Sequence, residues 1–418
     1  MSTKRKPPSA KRAAAAAAAA AILAGRRFAW RLYGAITILT VLAAGLTAAN
    51  LAKLPHPNST SELARSSSTA NFALYTLQRD TGKDTAGVKK PDTIRGTSLS
   101  ASDEGTAIVS APRIQEYAAL PSALAVVTLN EDNTSSLEIA SLAGGQPTLV
   151  PLPGPGTISN LHAAGSEHLI GFTFTGSSGN SQYWKSLFVY DVDTPSSAPR
   201  AVQGINGPIS ASDWRFVPGK ATLVAETDDH SMFLIDALSA GKMSPLGTHA
   251  GILGFVPGTD DLAVSDPGLK VGIDPPRYSS INLGTGTLSS LGLAGITAPD
   301  PNQALTSSTG QPVVLDSSGK YAQVARTYDA GKETSVVTVT DQNGSHALFQ
   351  PDPGWSRILD VCVSAAADYL AVETAAPQYA GDQYPVRPEP SPIRTSIVDL
   401  KTGKVIKTIA GFLPSWCG

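Results

Sequence analysis

The sequence predicts an all-β ring of four-stranded antiparallel units, and three observations predict it. Short apolar runs of alternating pattern recur through residues 72–418. Gly, Pro, Asp and Ser punctuate them, and whole four-strand units repeat roughly every forty residues. The clearest unit is residues 355–417. There Arg357–Val363 (RILDVCV) alternates apolar and polar side chains, and residues 368–374 (DYLAVET) follow a short turn. Residues 396–400 then run through Lys401, Thr402 and Gly403 into residues 405–409 as a tight hairpin. A period of two excludes an amphipathic helix over these runs.

At the amino end the chain is of another kind. Residues 1–52 carry eight basic side chains and no acidic one, so the other 24 basic residues face all 34 acidic ones. That acidic balance excludes nucleic acid as a partner for the body of the protein. Residues 13–25 hold nine consecutive alanines in a thirteen-residue uncharged run, too short to cross a bilayer. Residues 32–52, LYGAITILTVLAAGLTAANLA, are 21 uncharged residues, which as a helix reach roughly 31 Å. They read as one transmembrane helix. Arg26, Arg27 and Arg31 precede it with Trp30 and Tyr33 at the interface, so residues 1–31 are expected in the cytoplasm and the remainder outside. A cleaved signal peptide is the competing reading, with Thr47 and Ala49 as a loose small-x-small site. Residues 53–71, rich in Ser, Thr and Pro, read as a stalk.

From residue 72 the repeats begin. Residues 209–246 and 251–292 are the best-matched pair, and their two FVPG turns, starting at Phe216 and Phe255, fall 39 residues apart. Looser copies occupy residues 112–153, 157–202 and 311–349. Four strands at this spacing are the mark of a β-propeller. The turn motifs Asp316-Ser317-Ser318-Gly319-Lys320 and Asp399-Leu400-Lys401-Thr402-Gly403-Lys404, echoed at Asp80-Thr81-Gly82-Lys83, give the chain its likeness: it resembles the TolB-like and WD40-like extracytoplasmic β-propeller repeat proteins of bacteria. The resemblance covers residues 72–418 and implies architecture alone. With residues 355–409 there are six complete units. The tail 411–417 resembles a first strand and residues 72–110 hold strand-like pieces, which favours a seventh blade shared by the two ends. A six-bladed ring with a packed amino-terminal arm is the alternative.

Motifs of catalysis are sparse. There is no GxSxG elbow, GxGxxG loop or P-loop, and the six histidines stand singly without HxH or HExxH spacing. No cofactor and no metal are expected. The acidic pairs Asp191/Asp193, Asp228/Asp229 and Asp260/Asp261 read as turn residues. The two cysteines, Cys362 and Cys417, are expected to form a disulfide outside the cell. The connections between second and third strands are long: residues 175–185, 266–280, 326–334 and 376–394. In a propeller these emerge on one face. They carry Tyr183, Trp184, Arg277, Tyr278, Tyr328, Tyr379, Tyr384 and Arg387, aromatic and arginine side chains of the kind binding surfaces use. The functional expectation is a membrane-tethered binding or scaffold module of the bacterial cell envelope, with an envelope protein or glycan as ligand. The alternative is a propeller hydrolase or lyase with Asp213, Arg215, Arg357 and Asp360 in a central channel.

Overall fold

The structure, a computed structural model, describes residues 64–65, 74–79, 90–100, 105–164, 168–178, 182–239, 242–269, 274–293, 295–296, 307–329, 332–377 and 392–416. The chain divides into two units, Met1–Thr60 and Ser61–Gly418, and every described residue belongs to the second. Residues 1–31, the expected transmembrane helix 32–52 and most of the stalk lie outside the described residues. Among the described residues, no helix is long and apolar enough to cross a membrane.

Seven sheets, each of four or more antiparallel strands, form a seven-bladed β-propeller. The innermost strands of blades 2 to 5 are Ile114–Ala119, Gly156–Ala163, Ala211–Phe216 and Gly251–Phe255. That of blade 7 is Arg357–Val363. The six repeats seen in the sequence form six of these blades. Blade 1 is the shared one. Its strands Leu74–Gln78, Asp92–Thr97 and Thr106–Ala111 come from the amino-terminal side. Ala64–Arg65, inside the stretch read as stalk, pairs outside them. The carboxy-terminal tail supplies the inner edge: Leu77 and Phe412 exchange backbone hydrogen bonds of 2.8 and 2.9 Å, and Ser415 donates its N–H to the Tyr75 carbonyl.

Alternation sets which side chains are buried. Each strand turns one face toward each neighbouring blade, so both faces are apolar and polar residues collect at strand ends. Seven apolar clusters result, one in each seam between adjacent blades, including the seam between blades 7 and 1. The turns behave as their residues require. Asp316 accepts the N–H groups of Ser318 and Lys320, Asp399 those of Lys401 and Thr402, and Gly319 and Gly403 take positive φ. Asp191 likewise accepts from Asp193 N–H at 3.0 Å, and Asp229 from Ser231 N–H at 3.2 Å.

Two connections differ from expectation. Most of 175–185 and 326–334 is strand: Leu169–Ser178 pairs with Gln182–Asp191, and Tyr321–Asp329 with Lys332–Asp341. Thr, Ser and Gly at these positions resemble turn residues in sequence, but antiparallel pairing and β-branched Thr continue the ladder.

Candidate functional site

The inner strands share an irregularity. A one-residue register shift against the second strand occurs between Ile114 and Glu116, Ala211 and Asp213, Ile252 and Gly254, and Ile358 and Asp360. Such bulges re-aim the side chains that follow them. Asp213 and Asp360 therefore occupy equivalent positions in blades 4 and 7, and each accepts the N–H of its next residue at 2.8 Å.

Blade 6 departs from this plan. Its inner strand is split into Ser307–Thr309 and Val313–Val314, both pairing with Tyr321–Asp329. Pro312 has no N–H to give the ladder, and the chain detours at Gly310. Beside the detour lies a cavity of ≈ 220 Å³ that includes Gln311, Gln323, Arg326 and Asp360 in its walls. It shares Leu253, Val313, Asp360 and Val361 with a larger cavity of ≈ 640 Å³. The walls of the larger one come from the inner strands of blades 4, 5, 6 and 7 and from Trp416 of the tail, which places it on the propeller axis. Pro218, Pro257 and Ala365, in turns joining first to second strands, lie at its mouth. It opens on the face opposite the long second-to-third connections.

The charged residues around the axis are held differently. Glu333 takes ion pairs from Arg326 at 3.4 Å and Arg357 at 3.6 Å, so both arginines are engaged. Arg215 and Asp360 both line the larger cavity, and neither makes an ion pair with another described residue. Arg215 Nε is buried without a hydrogen-bond partner. His162, in the inner strand of blade 3, has its pKa pushed down to about 3, first by burial and then by the Arg215 charge, so its ring is neutral at physiological pH. It stands edge-on to Trp214 with centroids 4.9 Å apart. Glu373, behind the inner strand of blade 7, accepts the Leu413 N–H at 2.7 Å. Burial, and then the Asp360 charge, raise its pKa to about 8.

Among the described residues, the others singled out in the sequence do not converge. Tyr183 and Trp184 lie on a strand of blade 3; Tyr183 is 61% exposed, while Trp184 packs on Phe174 and Phe188. Tyr328 lies on a strand of blade 6. Arg277 begins an outer strand opposite Asp266, and Tyr278 packs against the cluster of Val256, Ala263, Leu291 and Val314. Tyr379, Tyr384, Arg387 and Cys417 lie outside the described residues. Cys362 sits mid-strand opposite Ala371, in the cluster that also receives Trp416. Three histidines lie against carboxylates: His168 on Asp193, His230 on Glu226 and His249 on Asp266.

No family model matches the chain, and no curated protein matches it. Solved structures do. A putative TolB from Agrobacterium tumefaciens is 11% identical over 73% of this chain and 86% of that one, with a TM-score of 0.33. Hydrazine synthase of Kuenenia stuttgartiensis is 12% identical over 69% of this chain and 77% of that one, at 0.41. An acylaminoacyl peptidase of Pyrococcus horikoshii is 9% identical over 83% of this chain, at 0.47, and the chain spans 52% of that enzyme's length.

Proposed function

We propose that this chain is a membrane-tethered extracytoplasmic binding module of the bacterial cell envelope that takes its ligand on the propeller axis. The observation that carries the reading is the ≈ 640 Å³ axial cavity, walled by inner strands of four blades and holding both Arg215 and Asp360. Its size lies within the range of small-molecule sites, and a rigid ring of blades pre-organises its walls. The tether and its orientation rest on residues 32–52 and the three arginines before them. An envelope protein or glycan presenting a small group to the axis is the partner this reading implies. Outside the cell Cys362 and Cys417 form a disulfide, supported by the packing of Trp416, the residue before Cys417, in the Cys362 cluster. Mass spectrometry of unreduced protein should find one linked peptide pair, and two free thiols would remove that bond from the account.

Two measurements test the whole. Protease added to spheroplasts should digest the propeller and spare residues 1–31. Full-length protein in detergent should retain a component of envelope extracts, and Ala365→Trp, which places bulk on an exposed turn at the cavity mouth, should lose it. Retention by that variant would take binding off the axis.

A further inference from the structure

Three charged side chains line the axial cavity: Asp260 is paired with Lys220, which leaves Arg215 and Asp360 as the two without an ion-pair partner among the described residues. Arg215 belongs to blade 4 and Asp360 to blade 7, three blades apart in a ring of seven and so nearly opposite across the axis. They do not meet. The carboxylate of Asp360 is directed to its own strand through the Val361 N–H. The Arg215 side chain has no hydrogen-bond or ion-pair partner among the described residues, and its Nε is buried. A half-buried guanidinium without an acceptor has lost part of its hydration for nothing in return, which is costly unless a ligand oxygen completes it. Arg326 and Arg357 are already neutralised by Glu333, so among these three described arginines it is Arg215 that offers an open fork to an anion. The rest of the wall is mixed, with Leu253, Phe255, Val314, Val361 and Trp416 beside Thr259 and Ser364.

We propose that the axial cavity binds a short zwitterionic peptide with both termini free, of which a dipeptide is the smallest example. Its terminal carboxylate meets Arg215, its terminal ammonium group meets Asp360, and its backbone spans the distance between them. This rests on the axial-binding reading above. The guanidinium fork matches a carboxylate with two parallel N–H donors, and Asp360 in its cavity can accept from an ammonium group. His162 beside Arg215 is neutral, so it neither competes for the anion nor adds a second positive charge. A purely anionic ligand would leave the Asp360 charge facing it, and a purely cationic one would leave Arg215 uncompensated. The pair therefore selects against both.

Calorimetric titration of the full-length protein in detergent with glycylphenylalanine, its carboxamide and its N-acetyl derivative tests the assignment. Wild type should bind the zwitterion about tenfold or more tightly than either blocked form, the scale of one charge-assisted hydrogen bond. Arg215→Met should abolish the preference over the carboxamide, and Asp360→Asn the preference over the N-acetyl form. Free leucine and phenylalanine, whose two charges share one carbon, should bind more weakly than the dipeptide in parallel titrations, and tighter binding of either would contradict the span. Equal affinity for all three derivatives, or no binding of any, overturns the dipolar assignment in the wild type alone, whatever the variants do. The envelope-extract experiment stands apart: a component lost on Ala365→Trp, together with no dipeptide preference, leaves axial binding intact and removes only this ligand class.

Discussion

Between blades 3 and 4 the chain is continuous, and the seam is filled by bulk. Trp214 is fully buried over Gly171, where an added Cβ would come within 2.4 Å of the ring, so only glycine leaves room for it. Phe216 and His162 stand edge-on to the same ring. At the closing seam the tail lies against blade 7, the other strands of blade 1 and Tyr117 of blade 2, the strands come from opposite ends of the chain, and directional bonds join the apolar cluster. Arg79 pairs with Asp92 at 3.2 Å, both side chains buried, donates to the Ile114 carbonyl of blade 2, and lies over the Phe412 ring of the tail. Tyr117 donates to the Leu413 carbonyl while Glu373 accepts the Leu413 N–H, fixing a residue at φ 50. Thr395 donates to the Gly411 carbonyl at 2.7 Å. Apolar packing is non-directional and does not choose between registers, whereas hydrogen bonds do. Where the two ends of the chain meet, the ring sets the register with polar contacts.

The sharpest way to break this comparison is to damage each seam once. Asp92→Ala leaves the Arg79 charge buried without its carboxylate, and an expected loss of about 3–5 kcal/mol follows. Trp214→Ala, a large-to-small change in the other seam, should cost a similar amount, about 3–5 kcal/mol. The two should differ in where the ring opens. Limited proteolysis should release the tail early in Asp92→Ala but not in Trp214→Ala, with both losses read by denaturant titration. Equal release of the tail would show that closure is no more polar in character than any other seam.

A smaller effect separates the seams by pH. Glu373 has a folded pKa of about 8 against its ordinary 4.5, so its contribution to stability is full below about 4.5 and is lost as pH rises through 8. His162 is the reverse: with a folded pKa of about 3 against 6.5, its contribution is full above 6.5 and is lost as pH falls toward 3. Each spans on the order of a few kcal/mol at most. Glu373→Gln should flatten the alkaline limb of stability against pH and leave the acid limb, and His162→Phe should do the opposite. Denaturation midpoints from pH 4 to 9 would decide it, and an alkaline limb unchanged in Glu373→Gln would contradict the assignment.

Much of the ring is legible in the sequence because the Asp-Gly turns and the period-two runs are local signals. Asp92–Thr97 escapes that pattern: DTIRGT has Ile94 as its one large apolar residue, and only its place between two other strands makes it one. The function of the tail as an inner edge is visible in GFLPSW, yet its partners Glu373 and Tyr117 lie 40 and 296 positions away. The site is less legible still. Arg215, Arg357 and Asp360 stand in the sequence as equals, and nothing local tells that Glu333 engages Arg357 and leaves Arg215 open. The aromatic residues of the long connections look like binding anchors, but Trp184 is required for packing by Phe174 and Phe188. Burial is a property of blade pairing and is not written in any one strand.

Site-specific photo-cross-linking in living cells tests the central claim, that the working surface is the axis. A benzophenone side chain replacing Ala365 stands at the mouth of the axial cavity, and one replacing Tyr183 stands at the opposite end of the blades. The account predicts a discrete adduct from position 365, weakened by Arg215→Met in the same chain, and none from position 183. An adduct formed only from position 183 would contradict it.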